Sequence, residues 1–421
     1  MKLHNIWPVR CCMLPKGWKQ VPLHTVAEVR TGLSKNARRE GATLKRPYLR
    51  VANVQDGALD LSDVQEIDVP ASQTSRYTLQ AGDLLLIEGN GNPENLGRGC
   101  LWHGQIAEAV HQNHVFAVRT HKDEGLLPEF LALLVQCRYG RDYFLSCAKG
   151  STGLASLNST QLKGFPVILP PFEEQIRIAR VIDTWGAAIV ATERYLANSL
   201  RQRDALADWL LGGKQRLSGH ATKRKSYRLG ALFDERVEVN RPDLRLLSIT
   251  REEGVIPRDD VGRKDTSNED KSKYLRVCPG DIAYNTMRMW QGVSALSPHE
   301  GIVSPAYTVV RPKAQLIDAQ FAAYLFKYRP VVFLFYRYSQ GLVSDTWNLK
   351  FHHFSEIKVE IPELSEQIAI ANVLKAADEE IAALEKHLDC LREEKRALMA
   401  DLLTGKRRVR VSSSMAESEA A

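Results

Sequence analysis

The sequence predicts an α+β protein in which two strand-rich globular domains are separated by two long helices, as a tandem repeat. The first supporting observation is a stretch beginning at Glu174 that recurs at Glu366. A shift of about 192 residues aligns the copies without a gap, and about 17 of 43 positions are identical. The second is that both globular pieces follow one outline of strands, helix and closing strand. A period this long exceeds that of solenoid repeats and indicates two half-molecules.

Both copies of the repeat are predicted to be helical, because apolar residues recur at alternating spacings of three and four, as in an a/d coiled-coil seam. Each copy follows a proline, Pro171 or Pro362, and ends near a glycine. About 40 residues would form a rod ~60 Å long. The predicted helix-pairing residues are Ile182, Ile189, Leu196, Leu206 and Leu210 in the first copy, and Leu374, Ile381, Leu384, Leu388, Leu391, Leu398 and Leu402 in the second. The matching seams favour packing of the two rods against each other, and the alternative is two core helices in separate domains.

One seam position is basic in both copies, at Arg203 and Lys395. These cations either set the register of the helices or extend to water.

The repeat divides the chain into six predicted segments. They are 1–170 for the first domain, 171–213 for the first helix, 214–226 for a linker, 227–361 for the second domain, 362–410 for the second helix, and 411–421 for a disordered tail. Within the first domain we expect strands at 48–53, 83–88 and 115–119 and one helix over 127–144.

Charge and cysteine content restrict the class of protein. The net charge of +7 divides into +4 for 1–170, +1 for 171–217, +5 for 218–360 and −3 for 361–421. A nucleic acid would therefore bind the globular domains, although a surplus of this size also occurs in proteins that bind none. Seven cysteines without a CxxC pair indicate a reduced, cytoplasmic protein without structural zinc. An uninterrupted apolar run long enough to span a membrane is absent from the sequence.

Several stretches resemble catalytic motifs, but each lacks a residue or a setting that the motif requires. Leu169-Pro-Pro-Phe resembles an amino-methyltransferase motif, but leucine stands where that motif needs Asp or Asn. The glycine-rich stretch 89–99 lacks the Gly-Lys-Ser/Thr ending of a phosphate-binding loop. Glu269-Asp-Lys271 lies in a polar stretch and not on the apolar strand that a nuclease requires. The histidine pairs, including His111 and His114, lack metal-ligand partners at suitable spacing. We therefore predict no catalytic residue and no metal site.

The order of domain, proline and Glu-Gln-Ile helix, occurring twice, resembles the specificity (S) subunit of type I restriction–modification systems. The supporting stretches are Tyr48-Leu-Arg-Val-Ala-Asn-Val-Gln-Asp-Gly, the Gly-Asp pairs at Gly82 and Gly280, and the two helix starts. The resemblance covers about residues 17–410.

This resemblance implies a non-catalytic DNA-recognition subunit for anti-phage defence. Each domain would be a target-recognition domain that reads one half of a bipartite site in double-stranded DNA. The helices would pack antiparallel with approximate two-fold symmetry, set the spacer and dock partners. The implied partners are two methyltransferase (M) subunits carrying S-adenosylmethionine and two restriction/translocase (R) subunits using ATP and Mg. The complex would be a type I site-specific endonuclease and adenine-N6 DNA methyltransferase, and this chain would bind no cofactor.

Candidate DNA-binding residues follow from side-chain chemistry. Basic residues suit phosphate contacts, while Arg, Asn and Gln suit base edges in the grooves. The phosphate candidates are Lys35, Arg38, Arg39, Lys45 and Arg46 in the first domain, and Arg263, Lys264, Lys271 and Lys273 in the second. The base candidates are Asn90, Asn92, Asn95 and Arg98, then Asn285, Arg288 and Gln291, with the loop residues Lys149, Ser151, Thr152, Gln340 and Ser344. The segment containing Arg288 could equally place Trp290 in the domain core.

The main alternative function is a coiled-coil scaffold with protein-binding end domains and no role on DNA. A neighbouring methyltransferase gene would distinguish the two. A specificity half of a fused enzyme and a stand-alone methyltransferase are further alternatives, and the missing catalytic motifs argue against both.

Overall fold

The computed structural model describes residues 14–35, 42–90, 95–147, 155–220, 222–250, 254–260, 270–342 and 346–410. The chain forms two compact units, one made of Met1–Thr192 with His387–Ala421 and the other of Glu193–Lys386. Each unit contains one globular domain and a part of both long helices. The predicted α+β class with two strand-rich domains and two long helices is confirmed.

The first unit is built on a four-stranded antiparallel sheet. Its strands are β1 Lys19–Pro22, β2 Ala27–Thr31, β3 Thr43–Leu49, β4 Gln65–Pro70, β5 Leu84–Ile87, β6 Gly89–Asn90, β7 Gly99–Leu101, β8 Val110–His111, β9 Val115–Thr120, β10 Ala155–Ser156 and β11 Pro166–Leu169. Its helices are α1 Leu23–Val26, α2 Thr74–Tyr77, α3 Pro128–Gln136, α4 Arg138–Cys147, α5 Ser159–Lys163 and the first part of α6 Phe172–Leu211. The main sheet has the order β2-β9-β5-β7, beside a smaller sheet β4-β3-β8. All four residues of β5 are buried, which explains its uninterrupted apolar sequence.

The second unit repeats the same main sheet. Its strands are β12 Lys225–Arg228, β13 Phe233–Glu235, β14 Leu247–Ile249, β15 Val255–Pro257, β16 Leu275–Val277, β17 Ile282–Asn285, β18 Ser294–Leu296, β19 Gly301–Val303, β20 Tyr307–Pro312 and β21 Lys358–Ile361. Its helices are α7 Leu229–Leu232, α8 Ala319–Leu325, α9 Arg329–Tyr338, α10 Phe351–Ser355 and the first part of α11 Leu364–Leu403. The strand order β13-β20-β17-β18 matches β2-β9-β5-β7 position by position. In both units an outer strand pair, β1-β11 or β12-β21, joins the start of the domain to its end.

Aromatic residues fill the core of each domain beneath its helices. In the first unit Phe144 and Phe165 stack at 5.4 Å, and both are fully buried. The same core includes Ile178 of α6 and Leu402 of α11. Each domain is therefore packed directly onto the long helices of its own unit, and burial of these side chains stabilises the contact by ~2 kcal/mol per side chain.

The single helix predicted over 127–144 is wrong, because two helices occupy this stretch. The helix α3 ends at Gln136, Cys137 is extended, and α4 starts at Arg138. Gly140 packs so closely on the end of α3 that an added Cβ would lie 2.5 Å from the Val135 carbonyl oxygen. The break therefore arises from tertiary packing and has no proline signal in the sequence.

The predicted strand over 48–53 is also shorter than expected. The strand β3 ends at Leu49, and Val51–Asn53 form a 3-10 turn. The buried Asn53 accepts a hydrogen bond from the Arg50 amide at 2.8 Å and donates to the carbonyl oxygens of Asp60 and Asp63, both at 2.9 Å. These bonds hold the backbone in a turn, which the local strand propensity does not reveal.

The two long helices run antiparallel within each unit. In the first unit Glu174, at the start of α6, forms an ion pair with Arg408, which follows the end of α11. In the second unit Glu366, at the start of α11, forms an ion pair with Arg216, which follows the end of α6. Both carboxylates are buried, so each Arg neutralises a charge that would otherwise be costly. The Glu of the Glu-Gln-Ile motif thus joins the start of one helix to the residues beyond the end of the other.

The Gln of the same motif fixes each helix to its own domain. The Gln175 side chain is completely buried; its Oε1 accepts a hydrogen bond from the Leu127 amide at 2.9 Å. Its Nε2 donates to the carbonyl oxygens of Gly125 at 2.7 Å and Pro170 at 2.9 Å. The second unit repeats all three bonds: Gln367 accepts from the Asp318 amide and donates to the carbonyl oxygens of Leu316 and Pro362.

The predicted pairing residues all have limited solvent exposure. Ile182, Leu210, Leu374, Leu388, Leu391 and Leu402 are buried, and Ile189, Leu196, Leu206, Ile381, Leu384 and Leu398 are half-buried. The basic seam residue Arg203 donates from Nε to Asp378 at 2.9 Å. Its position in the seam therefore has a structural reason, an ion pair across the two helices of the second unit.

The predicted linker 214–226 makes several of these structural contacts. Arg216 binds Glu366, and the guanidinium of Arg224 donates to the last carbonyl oxygens of α6, including that of Leu211 at 2.6 Å. Strand β12 already begins at Lys225. The described part of this segment closes the end of α6.

Candidate nucleic-acid interface

The two Gly-Asp pairs have a structural role in the scaffold beneath the candidate interface. Asp83 and Asp281 are buried, at 1% and 2% exposure. Asp83 accepts two hydrogen bonds from Arg119, both at 2.6 Å, and Asp281 accepts two from Arg236, at 2.7 and 3.1 Å. Each Asp also accepts a backbone amide three residues earlier, which fixes the turn before β5 or β17. Arg119 belongs to β9, whereas Arg236 directly follows β13, so the repeated aspartate is neutralised from different elements in the two domains.

The second domain has a polar cleft that brings together two predicted DNA-binding residues, Lys273 and Asn285. The cleft has a volume of about 540 Å³. Asn285 ends strand β17, and Lys273 precedes β16. Other lining residues are Ser248, Arg258, Asp270, Ser304 and Tyr307. Arg258 and Tyr307 were not among the predicted residues, although arginine and tyrosine side chains suit contacts to phosphate oxygens.

Within this cleft the side chains are held by local contacts. Arg258 donates from Nη1 to the Ser248 hydroxyl at 3.3 Å. The side-chain oxygen of Asn285 accepts the Met287 amide at 3.0 Å, which orients the carboxamide. The predicted Lys271 lies over the ring of Tyr274, with Nζ 4.9 Å from the centroid. Lys271 is thereby directed onto the aromatic ring, a cation–π arrangement.

The remaining candidates of the second domain lie on the loops after β17 and α9. Arg288 and Gln291 are exposed; Arg288 precedes a 3-10 turn, and Gln291 is its last residue. Gln340 is exposed, and its backbone exchanges two hydrogen bonds of 2.8 Å with Asn348. The alternative that placed Trp290 in the core is wrong. Met289 is the fully buried residue, and Trp290 is half-buried, edge-on to Trp347 at 5.3 Å.

The first-domain candidates are more dispersed. Lys35 is exposed on the turn after β2, and Lys45 is exposed on β3. Arg46 lies next to Lys45 on the strand and therefore points to the other face. Its Nη2 forms an ion pair with Glu108 at 2.9 Å, so its charge is already partly satisfied. Lys35 and Lys45 are thus the more accessible cations of this group.

Arg98 has a structural rather than a surface position. Its Nη2 approaches the Val51 carbonyl oxygen at 3.5 Å, and its buried Nε has no hydrogen-bond partner among the described residues. Asn95 is half-buried, and Asn90 forms a backbone pair with Ala155. The candidates outside the described residues are Arg38, Arg39, Asn92, Lys149, Ser151, Thr152, Arg263, Lys264 and Ser344.

Groups of three or more His, Cys, Asp or Glu residues able to hold a metal ion are absent from the described ranges. His111 is buried in the first domain, and its Nδ1 lies 2.6 Å from the Val115 carbonyl oxygen. In the part of the chain that the structure describes, no helix combines the length and apolar character needed to cross a bilayer.

A family model covers most of the chain. The model of the type I restriction modification DNA specificity domain matches residues 15–202 and 260–390, which include most of both domains and of both long helices. The chain belongs to this family. It is a type I restriction–modification DNA specificity subunit with two DNA-recognition domains, and the scaffold alternative receives no support.

Similar proteins agree with this family. The specificity subunit shares 23% identity over 418 residues with a protein assigned as the type I restriction enzyme MjaX specificity subunit of Methanocaldococcus jannaschii, covering 94% of this chain and 95% of that one. It is 28% identical to the EcoKI specificity subunit of Escherichia coli over 189 residues, covering 44% of this chain and 39% of that one.

Solved structures share the fold of this specificity subunit. The HsdS subunit from Thermoanaerobacter tengcongensis has a TM-score of 0.55 at 17% identity and covers 94% of this chain and 98% of its own. A chain from a type I R-M system, studied for complex assembly and conformational transition, has a TM-score of 0.59 at 17% identity over 94% of this chain and 99% of that one.

Proposed function

We propose that each domain reads one half of a bipartite DNA site, while α6 and α11 set the spacer and dock the methyltransferase subunits. One observation carries the proposal. Both units share one sheet order and the same Glu–Arg and Gln contacts at the helix starts, but their exposed polar residues differ. A repeated frame with two different surfaces suits a DNA duplex, whose backbone has two-fold symmetry while its bases do not.

The chemistry would reside in the partner subunits. The methyltransferase subunits would bind S-adenosylmethionine, and the restriction subunits would use ATP and Mg. The complex would then act as a site-specific endonuclease and an adenine-N6 methyltransferase. Target adenines would leave the base stack for the methyltransferase pockets, because the reacting nitrogen is inaccessible in a duplex. The residues of this chain would contribute recognition and geometry.

The cleft of the second domain supplies a direct test. The chain is combined with its methyltransferase subunit, and methylated sites are sequenced for the wild type, Asn285→Ala and Lys273→Ala. We expect Asn285→Ala to relax one half-site, by ~1–3 kcal/mol of discrimination, and to leave the other intact. Lys273→Ala should weaken binding to all DNA sequences. It should also reduce, by about 1, the slope of the logarithm of the binding constant against the logarithm of the salt concentration.

The matched control is Lys225→Ala, an exposed lysine of the same domain outside the cleft. Loss of discrimination at both half-sites in Asn285→Ala would contradict the assignment of one domain to one half-site. We also expect the chain alone to bind DNA weakly and site-specific binding to require the methyltransferase subunit. Tight site-specific binding by the chain alone, in a band-shift titration, would contradict this expectation.

A further inference from the structure

The first unit contains a groove between its domain and its long helices that the proposed DNA interface does not include. Its volume is about 610 Å³. Its lining includes the apolar side chains of Leu101, Leu133, Ile176 and Ile182. The volume is typical of a binding pocket. None of the candidate DNA-binding residues lines it.

Lys395 lines this groove and has no carboxylate partner among the described residues. Lys395 of α11 faces Gly186 of α6, and a Cβ added to Gly186 would lie 3.3 Å from the lysine Nζ. Among the described residues Lys395 forms no ion pair, although Asp183 also lines the groove. Glycine at position 186 therefore offers this lysine no carboxylate, although the two residues are adjacent.

The second unit shows how the same place is filled. The repeat aligns Lys395 with Arg203, Gly186 with Asp378, and Leu133 of α3 with Tyr324 of α8. In the second unit these residues form a closed triad. Arg203 binds Asp378 at 2.9 Å, and the Tyr324 hydroxyl donates to the same carboxylate at 2.7 Å.

The carboxylate and the phenol ring that partner the cation in the second unit are therefore both missing in the first unit. The first unit keeps the cation but lacks the carboxylate and the phenol ring. A ligand that supplied both groups would restore the arrangement that the protein itself builds 192 residues away.

We propose that this groove docks a segment of the methyltransferase subunit that brings an acidic side chain to Lys395 and an aromatic ring to Leu133. The identity of the partner rests on the proposed function. The charged residues that line the groove favour a peptide segment with a single carboxylate. The groove lining pairs two carboxylates, Glu129 and Asp183, with two cations, Arg180 and Lys395, so it lacks the surplus of positive charge that a polyanion such as a nucleic-acid backbone requires. Because Asp378 and Tyr324 already partner the cation in the second unit, the contact forms in the first unit alone.

Photo-cross-linking in the assembled complex tests the docking site. Leu133 is replaced by p-benzoylphenylalanine in the full chain, which is reconstituted with the purified methyltransferase subunit and irradiated. Mass spectrometry should map the cross-link to a methyltransferase segment with an Asp or Glu close to an aromatic residue. The matched control places the same probe at Tyr324, where we expect at least tenfold less cross-linking.

A second variant tests the role of Lys395. Gly186→Asp supplies the missing carboxylate within the chain, and it should reduce both the cross-link at position 133 and the affinity for the methyltransferase subunit about 5–10-fold, the effect of one half-buried ion pair. Ala187→Asp is its control, since the neighbouring position is exposed and does not line the groove.

Equal cross-linking from both positions would overturn the proposal, as would none from position 133 in a complex that still methylates a bipartite site. Unchanged affinity in Gly186→Asp would refute the role of Lys395. Failure of the methyltransferase subunit to bind the chain at all would instead refute the proposed function, and with it the partner named here.

Discussion

Replacing Gln175 by alanine should loosen the junction between the first domain and α6. The change leaves three backbone groups without their partner, namely the buried carbonyl oxygen of Pro170 and the partly buried amide of Leu127 and carbonyl oxygen of Gly125. Each unsatisfied buried group costs about 1 kcal/mol at the low end of the measured range. The three together predict a loss of about 3 kcal/mol, or roughly 100-fold in the local opening equilibrium.

Native-state hydrogen exchange measures this loss where it occurs. Exchange of the Leu127 amide should accelerate roughly 100-fold, because exchange in the native state reports local opening. Gln202→Ala is the control, an exposed glutamine on the same helix, and it should leave the exchange rate unchanged. A change below about 1 kcal/mol in Gln175→Ala would refute the view that this side chain fixes the helix to the domain.

Three further outcomes are expected. Inserting four residues into α6 lengthens it by ~6 Å, so methylome sequencing should show a spacer about two base pairs longer and unchanged half-sites; altered half-sites would contradict the helices as a ruler. Arg203→Leu should lower the free energy of unfolding by about 1 kcal/mol or less, since its ion pair with Asp378 is partly exposed. The recognised DNA sequence should stay the same, and a changed recognition sequence would contradict a purely structural role for Arg203. Burial lowers the pKa of His111, so the free energy of unfolding should fall as pH drops below ~6.5, where the unfolded histidine gains a proton first. His111→Gln should remove that slope in denaturant titrations, and an unaltered slope would assign it to other groups.

The long helices were predictable because their information is local. The seam spacing and the prolines place them at 171–213 and 362–410, and the structure has them at Phe172–Leu211 and Leu364–Leu403. The break at Cys137 was not predictable, because it depends on how Gly140 packs against the preceding helix. Local sequence pattern and tertiary packing thus specify different features of the same domain.

The candidate interface was harder to predict for a related reason. Arginine side chains were assigned to DNA by residue type, but Arg46 forms an ion pair with Glu108, 62 residues away. Arg203 forms an ion pair with Asp378, which lies 175 residues further along the chain. Conversely, Arg258 was not predicted as a DNA-binding residue, and only the fold shows that it lines the same cleft as Lys273 and Asn285. Whether a cation is satisfied within the chain depends on such distant partners, which spacing alone does not specify.

The ion pair between Glu174 and Arg408 has a consequence for how the chain could be connected. In the first unit the segment after α11 lies against the segment before β1, since Arg408 also donates to the Lys16 carbonyl oxygen at 3.3 Å. The order of the two halves along the polypeptide is therefore not imposed by the contacts that hold them. A circular permutant opened between α6 and β12 and joined between α11 and β1 would keep every strand pairing described above. In such a permutant the two recognition domains would exchange their places in the gene, with no change in the surface that each presents.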